Sequence, residues 1–322
     1  MSSLTSPPIQ PDIDFLGIGE LLVDFIAEEK GVSLDQVWAF RRYLGGSPAN
    51  IAINIVRLGG RSALIARVGR DPFGIFLREK LHADGVLADF VRVEADAPTS
   101  VVFINRGAST PEFFALRGAD MRLSRADVSP QLITRARIIH ASAFALVSDS
   151  ARHAIRFAFG LARQQGKIIS LDPNYSPQLW PDREEALQVL ASLYPLVTFT
   201  KPSLDDAHRL FGRGRSPEEY IERFHQLGAT TIVLSMGAAG VLLSDGQTLK
   251  RIPVRPLAVV DATGAGDAFW AGFLMASLDG LPLNACVQFG RIIAEMKLQR
   301  AGPLPKSVDR RQIYGQWMTM EA

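Results

Sequence analysis

Between Val259 and Leu278 the sequence reads VVDATGAGDAFWAGFLMASL, with Gly264, Ala265 and Gly266 standing directly before Asp267. The pattern places a loop at the entry to a long apolar helix. The first N–H groups of a helix have no intrahelical acceptor, and the helix dipole makes that end positive. Two glycines there clear side chains away so that an anion can touch the amides, with Asp267 held beside it. A carboxylate next to an anion site is electrostatically unfavourable unless it must take a proton there. The combination fits phosphoryl transfer, with the amides stabilising charge on the moving group and Asp267 as general base on the attacking hydroxyl. A tight turn with an aspartate cap would use the same residues, so the rest of the chain has to decide.

The elements around this stretch follow a regular rhythm from residue 13. IDFLGIG, SALIARVG, RIIHAS, KIISLD, LVTFTK, TTIVLS and GVLLS read as strands, and helix-length runs stand between and beyond them. SPANIAINIVRLGG has Ser47 as N-cap and Pro48 at the first helical position, and DPFGIFLREKLHADG is capped by Asp71. Strand–helix repetition of this length predicts an α/β fold, a doubly wound, mainly parallel sheet flanked by helices. No linker interrupts it, so residues 12–322 form one domain. Residues 22–44 and 96–118 alternate with period two and carry no helix, which predicts antiparallel strands inserted as a small β lid over the sheet's ligand end.

The 322 residues are 47% apolar and 21% charged with a formal net charge of +2, so the basic stripe of a nucleic-acid or membrane-surface protein is not expected. Cys286 stands alone, which excludes an intrachain disulfide and reads as a small buried hydrophobe. Residues 1–11 read as a disordered lead-in without a signal peptide, and no run reaches the length of a membrane span. A cytoplasmic location is the expectation.

DATGAGDAF resembles the C-terminal signature of the ribokinase-like (PfkB) carbohydrate kinases, and GGSPANIAINIVRLGGRSALIARVGRDPFG is similar to that family's first signature. The resemblance runs from about residue 13 to 305. It implies an ATP-dependent sugar kinase in which Asp267 is the base and Gly264, Ala265 and Gly266 form the anion hole. At the sugar end it implies Asp24, Gly45, Gly46 and Asn50, groups that can pair with several hydroxyls while the glycines admit the ring. At the nucleotide end, LSMGAAG supplies Ser235, Gly237 and Gly240, joined by Thr263, Gly264 and Gly266. KPSLDDA supplies Lys201, Ser203 and Asp206 in the place of the family's Asn-x-x-Glu motif, with Asp206 reaching magnesium through water. Asp261 and Thr263 match a monovalent-cation site, implying potassium, with carbonyls expected around Arg300 to Gly302.

DPNYSPQLW resembles a fructokinase and 2-keto-3-deoxygluconate kinase stretch, with Ser176 in the place of an arginine. That loss favours a neutral sugar over a sugar acid, and fructose is the expected substrate. EFFALRGADMRLS places Arg117 where it could reach the substrate, or equally solvent. Nucleosides and 2-keto-3-deoxygluconate remain as alternative acceptors, and a sugar-binding pseudokinase is the non-enzymatic rival. The lid strands carry more apolar residues than one small lid buries, which predicts a homodimer through the lid. GIGELL lacks the third glycine of a dinucleotide fingerprint, and no GxxxxGK[ST] loop is present.

Overall fold

Each β-branched run of the sequence forms a strand, and each amphipathic run packs back on the sheet that the strands build. The structure, a computed structural model, describes residues 10–106, 112–300 and 302–321. The chain opens with β1 (Ile13–Ile18), β2 (Leu22–Lys30), β3 (Phe40–Gly45), α1 (Ser47–Arg57), β4 (Ser62–Gly69), α2 (Pro72–Ala83), β5 (Val91–Glu94), β6 (Val101–Arg106) and β7 (Phe113–Leu116). It continues through α3 (Pro130–Arg135), β8 (Ala136–Ser142), α4 (Asp149–Gln164), β9 (Ile168–Asp172), α5 (Arg183–Leu193), β10 (Phe199–Thr200), α6 (Leu204–Phe211) and α7 (Pro217–Gln226). It closes with β11 (Thr231–Ser235), β12 (Val241–Ser244), β13 (Leu249–Ile252), α8 (Ala265–Leu278), α9 (Leu283–Leu298) and α10 (Arg310–Glu321).

The main sheet runs β13-β12-β11-β10-β9-β8-β1-β4-β5. It is parallel from β11 to β5, and β12 and β13 add an antiparallel edge. Two apolar clusters cover its faces, one under α4 and α5 with Phe159 and Tyr194, the other under α1, α8 and α9 with Trp270 and Phe273. Every residue of α8 from Ala268 to Ala276 is buried, which is why this helix is apolar all round. Its approach to α9 depends on Gly272, where a Cβ would come within 2.9 Å of the Gly290 Cα.

The second sheet, β3-β2-β6-β7, forms the lid. The expected antiparallel pairing holds for β2 with β3 and for β6 with β7, but β2 and β6 run parallel. The reason lies in the main sheet: β2 follows β1 and β6 follows β5, and those two strands point the same way, so both lid strands leave in one direction. The lead-in expected over residues 1–11 falls, apart from residues 10 and 11, outside the described residues. Among the described residues no helix is long and apolar enough to cross a membrane.

Candidate active site

The C-terminal ends of β1, β8, β9, β10 and β11 meet the N-termini of α1 and α8 at one crevice, the place where open α/β sheets bind ligands. Gly264 precedes α8 in the left-handed region at φ 73°, which turns the chain into the helix and puts Asp267 in its first turn. The Asp267 carboxylate accepts from the Ser47 hydroxyl at 2.8 Å and from the Asn50 side-chain amide at 3.0 Å. Ser47 and Asn50 are three residues apart on α1, so one helix face supplies both donors. Burial pushes Asp267 up to about 6, while Ser47, Lys201 and Asn50 hold it from going higher. A base that titrates there is ionised at neutral pH yet retains proton affinity.

Ser47 does not cap α1 as the sequence reading expected. Gly46, at φ 103°, is the cap residue, and Ser47 lies inside the helix with its hydroxyl turned to Asp267. Its N–H donates to Glu20 Oε1 at 3.0 Å, and the Ser142 hydroxyl donates to the same carboxylate at 2.9 Å. Burial lifts Glu20 to about 7.

The amides at the entry to α8 are not equivalent. The Ala265 N–H turns back to the Ala262 carbonyl at 3.2 Å, whereas those of Gly264, Gly266 and Asp267 find no acceptor among the described residues. Asp267 thus offers an amide that the sequence reading did not count. A Cβ at Gly266 would stand 3.6 Å from Lys201 Nζ, so the glycine keeps open the space between amide and ammonium. Lys201 itself is buried and pairs with Asp172 at 2.9 Å. Burial lowers its proton affinity, but the Asp172, Asp206 and Asp267 carboxylates outweigh that and hold it above the ordinary value.

A cavity of about 440 Å³ opens beneath the lid, lined among others by Glu20, Asp24, Asn50, Asp172, Lys201 and Asp267. Burial and the neighbouring Asp267 carboxylate push Asp24, on β2, up to about 7. A Cβ at Gly45 would overlap the Asp24 carboxylate, and one at Gly46 the Glu20 carbonyl, so the Gly-Gly turn makes room for acids as well as for a ligand. Asn50, expected at the sugar, bonds the Asp267 carboxylate. Arg117, expected to reach the substrate or solvent, is engaged within the protein and does not line the cavity. Its Nε donates to Asp120 at 2.7 Å and a terminal nitrogen to the Phe144 carbonyl at 3.2 Å, with the guanidinium over the Phe144 ring. Phe144 lines the cavity and Arg117 stands behind it.

Lys201 and Gly266 also line a second cavity, of about 560 Å³, with Ser235, Gly237, Gly240 and an apolar wall that includes Leu257 and Phe269. Gly240 sits at φ 94°. The Ser235 N–H donates to the Pro202 carbonyl at 2.9 Å, joining this turn to the Lys201–Asp206 segment. Ser203 caps α6, and Asp206 completes the box by accepting from the Ser203 amide at 2.9 Å; its other oxygen accepts from the Tyr175 amide at 2.8 Å. Burial and the adjacent Asp172 raise the proton affinity of Asp206. Among the described residues no three His, Cys, Asp or Glu side chains converge to hold a metal.

Asp261 accepts from the Thr263 amide at 3.0 Å. The position in front of it is faced by the ammonium of Lys297, 3.6 Å from Asp261 Oδ2. Cys286 is buried, and burial pushes its thiol up to about 12, which suits a core residue.

Sequence reasoning missed Glu20, Ser47, Asp172 and Lys297 as parts of the site. Asp172 ends a predicted strand and Glu20 follows one, so their place at the ligand end was the available signal; Ser47 carried none beyond its capping role.

A family model described as pfkB family carbohydrate kinase matches residues 14–309. An ATP-dependent 6-phosphofructokinase of Thermoanaerobacterium thermosaccharolyticum is 33% identical over 291 residues, covering 90% of this chain and 89% of that one. The solved structure of Halothermothrix orenii fructokinase is 36% identical, covers 91% of this chain and all of that one, and superposes with a TM-score of 0.76. A sugar kinase from Pyrococcus horikoshii in complex with ATP is 27% identical, with 92% and 96% of the two chains covered and a TM-score of 0.80. Both the signature residues and the geometry they form agree with these likenesses: this chain belongs to the pfkB family of carbohydrate kinases.

Proposed function

We propose that this kinase moves the γ-phosphoryl group of ATP onto a hydroxyl of a neutral sugar, fructose. The observation that carries the reading is the junction of the two cavities, where Lys201 and Gly266 line both and Asp267 faces the sugar side. ATP takes the larger cavity, with its base on the apolar wall and its phosphates along Ser235, Gly237, Gly240 and Thr263. The sugar takes the cavity under the lid, its hydroxyls on Asp24 and Asn50. The attacking hydroxyl gives its proton to Asp267 as its oxygen bonds to the γ-phosphorus, and the bond from that phosphorus to the β-bridging oxygen breaks to release ADP. The amides of Gly264, Gly266 and Asp267, together with Lys201, stabilise the charge on the phosphoryl oxygens during transfer. Magnesium bound with ATP would neutralise phosphate charge, and Asp206 is the residue that would hold it through water.

The charge of the sugar cavity supports a neutral acceptor. Glu20, Asp24, Asp172, Asp205, Asp206 and Asp267 face it, against Lys201 and Arg209. Lys201 is already paired with Asp172, and Arg209 donates to the Tyr175 carbonyl at 3.1 Å. Ser176 lines the cavity where an arginine would have met a carboxylate. The likeness to Halothermothrix orenii fructokinase points the same way. The likeness to a 6-phosphofructokinase brings fructose 6-phosphate into the test as a second acceptor. The test is kcat/KM by coupled ADP release for fructose, fructose 6-phosphate, 2-keto-3-deoxygluconate, inosine and adenosine. Fructose should lead; any other acceptor ahead of it by about tenfold refutes the fructose reading, and no ADP release with any of them refutes the kinase.

The chain works as a homodimer through the lid, in the cytoplasm where ATP is available. Phe114 and Leu116 on β7 are 53% and 52% exposed, apolar surface that a partner lid would cover. A strict monomer in light scattering at micromolar concentration would remove this part.

A further inference from the structure

The last turn of α9 carries Lys297, a lysine whose side chain is only 8% exposed. Lysines are seldom buried without a partner. Here the ammonium lies 3.5 Å from the Asp261 carbonyl oxygen and 3.6 Å from Asp261 Oδ2. Backbone bonds fix the two elements together, since the amides of Val260 and Asp261 both donate to the Leu298 carbonyl, at 2.8 and 3.3 Å. A cavity of about 170 Å³ holds Lys297, Asp261, Thr263, Gly264 and Gly302 on its wall, directly behind the anion hole. Of these, Asp261, Thr263 and the backbone near Gly302 are what the family resemblance gives to a monovalent cation.

They do not fit one here. The carbonyl and the carboxylate of Asp261 already face an ammonium, and Arg106 also lines the cavity. A free cation would sit within a few ångströms of Lys297, well inside the Debye length, so salt would screen little of the repulsion. The C-terminal end of α9 is the negative end of its dipole, so it favours one cation at this place, and Lys297 supplies it.

We propose that Lys297 is a tethered replacement for the dissociable monovalent cation: its ammonium fixes the Asp261–Gly264 turn and sets positive charge behind the anion hole, and the reaction does not depend on potassium. Lys297 lines neither of the two cavities given above to sugar and ATP, so it is a positioning residue. The proposal rests on the kinase reading above.

The experiment compares potassium, sodium and tetramethylammonium at equal ionic strength, for the wild-type chain and Lys297→Ala. Turnover with fructose and the melting temperature with ATP present are both read. In the wild type both readouts should be the same in all three salts, turnover within about twofold. Lys297→Ala should lose about tenfold or more in kcat with a small change in KM, and potassium should raise both its turnover, by about fivefold, and its melting temperature. Wild-type activation by potassium of about fivefold or more overturns the proposal. So does a folded Lys297→Ala with full turnover, or one that is slow and unmoved by any cation. Should Lys297→Ala not fold, the wild-type series decides alone. A chain that releases no ADP with fructose in any salt fails the fructose reading instead, and the melting series still tests the lysine.

Discussion

Replacing Ser47 by alanine should move the acid limb of the rate profile without abolishing turnover. The Ser47 hydroxyl donates to Asp267 at 2.8 Å, and it bonds the ionised form of that carboxylate. Removing it therefore favours the protonated form and raises the proton affinity of the base. A hydrogen bond to a charged group contributes about 1.5–3 kcal/mol, and entry of water offsets part of that loss. A net loss of about 1.4 kcal/mol corresponds to one pH unit, which carries the midpoint of kcat from about 6 to about 7. The ionised fraction then falls about fivefold at pH 6, about twofold at pH 7, and hardly at all at pH 9. The assay is kcat at saturating fructose and ATP from pH 5 to 9, where Asp24 contributes through KM rather than through kcat. A loss in Ser47→Ala that is uniform across pH, with the midpoint unmoved, would refute the claim that this hydroxyl tunes the base.

Asp24→Asn should raise the KM for fructose while stabilising the fold at high pH. Burial raises the Asp24 carboxylate in the folded chain to about 7, so the charged form costs stability progressively from about pH 4 upward and fully above about 7. The variant should melt a few degrees above wild type at pH 8 and with it at pH 4, and equal melting at both would contradict the buried charge. Gly266→Val should fold normally but lose about a hundredfold in kcat, since its side chain would enter the space between amide and Lys201. Wild-type turnover in that variant, with circular dichroism unchanged, would remove Gly266 from the anion hole.

How much of this could be read in advance depended on whether a feature is local. The strand–helix rhythm, the Asp71 cap of α2 and the turn at Gly264 are local, and the chain follows them. Strands that pair far apart in sequence are less legible: β2 and β6 look antiparallel by alternation, and only the common direction of β1 and β5 makes them parallel. The short β5 and β13 and the helix α3 carry too few residues for a period to emerge. In the site, Asp267 and its glycines announce themselves by type and spacing. The groups that tune the Asp267 carboxylate come from other elements: Ser47 and Asn50 from α1, Lys201 just after β10, and Asp172 from the end of β9. Arg117 shows the converse, because its sequence position suited a ligand while a neighbour three residues on, Asp120, claimed its charge.

The central claim is that Asp267 takes the proton of the attacking hydroxyl, and Asp267→Asn tests it most directly. Asparagine keeps the size of the side chain and can still bond Ser47, so folding and ATP binding should be retained. Loss of a general base costs about two to four decades. Single-turnover transfer to fructose should fall by that amount, with ATP affinity by calorimetry within a few-fold of wild type. Turnover within about threefold of wild type, in a variant that binds ATP normally, would show that Asp267 only shapes the helix entry and that another group moves the proton.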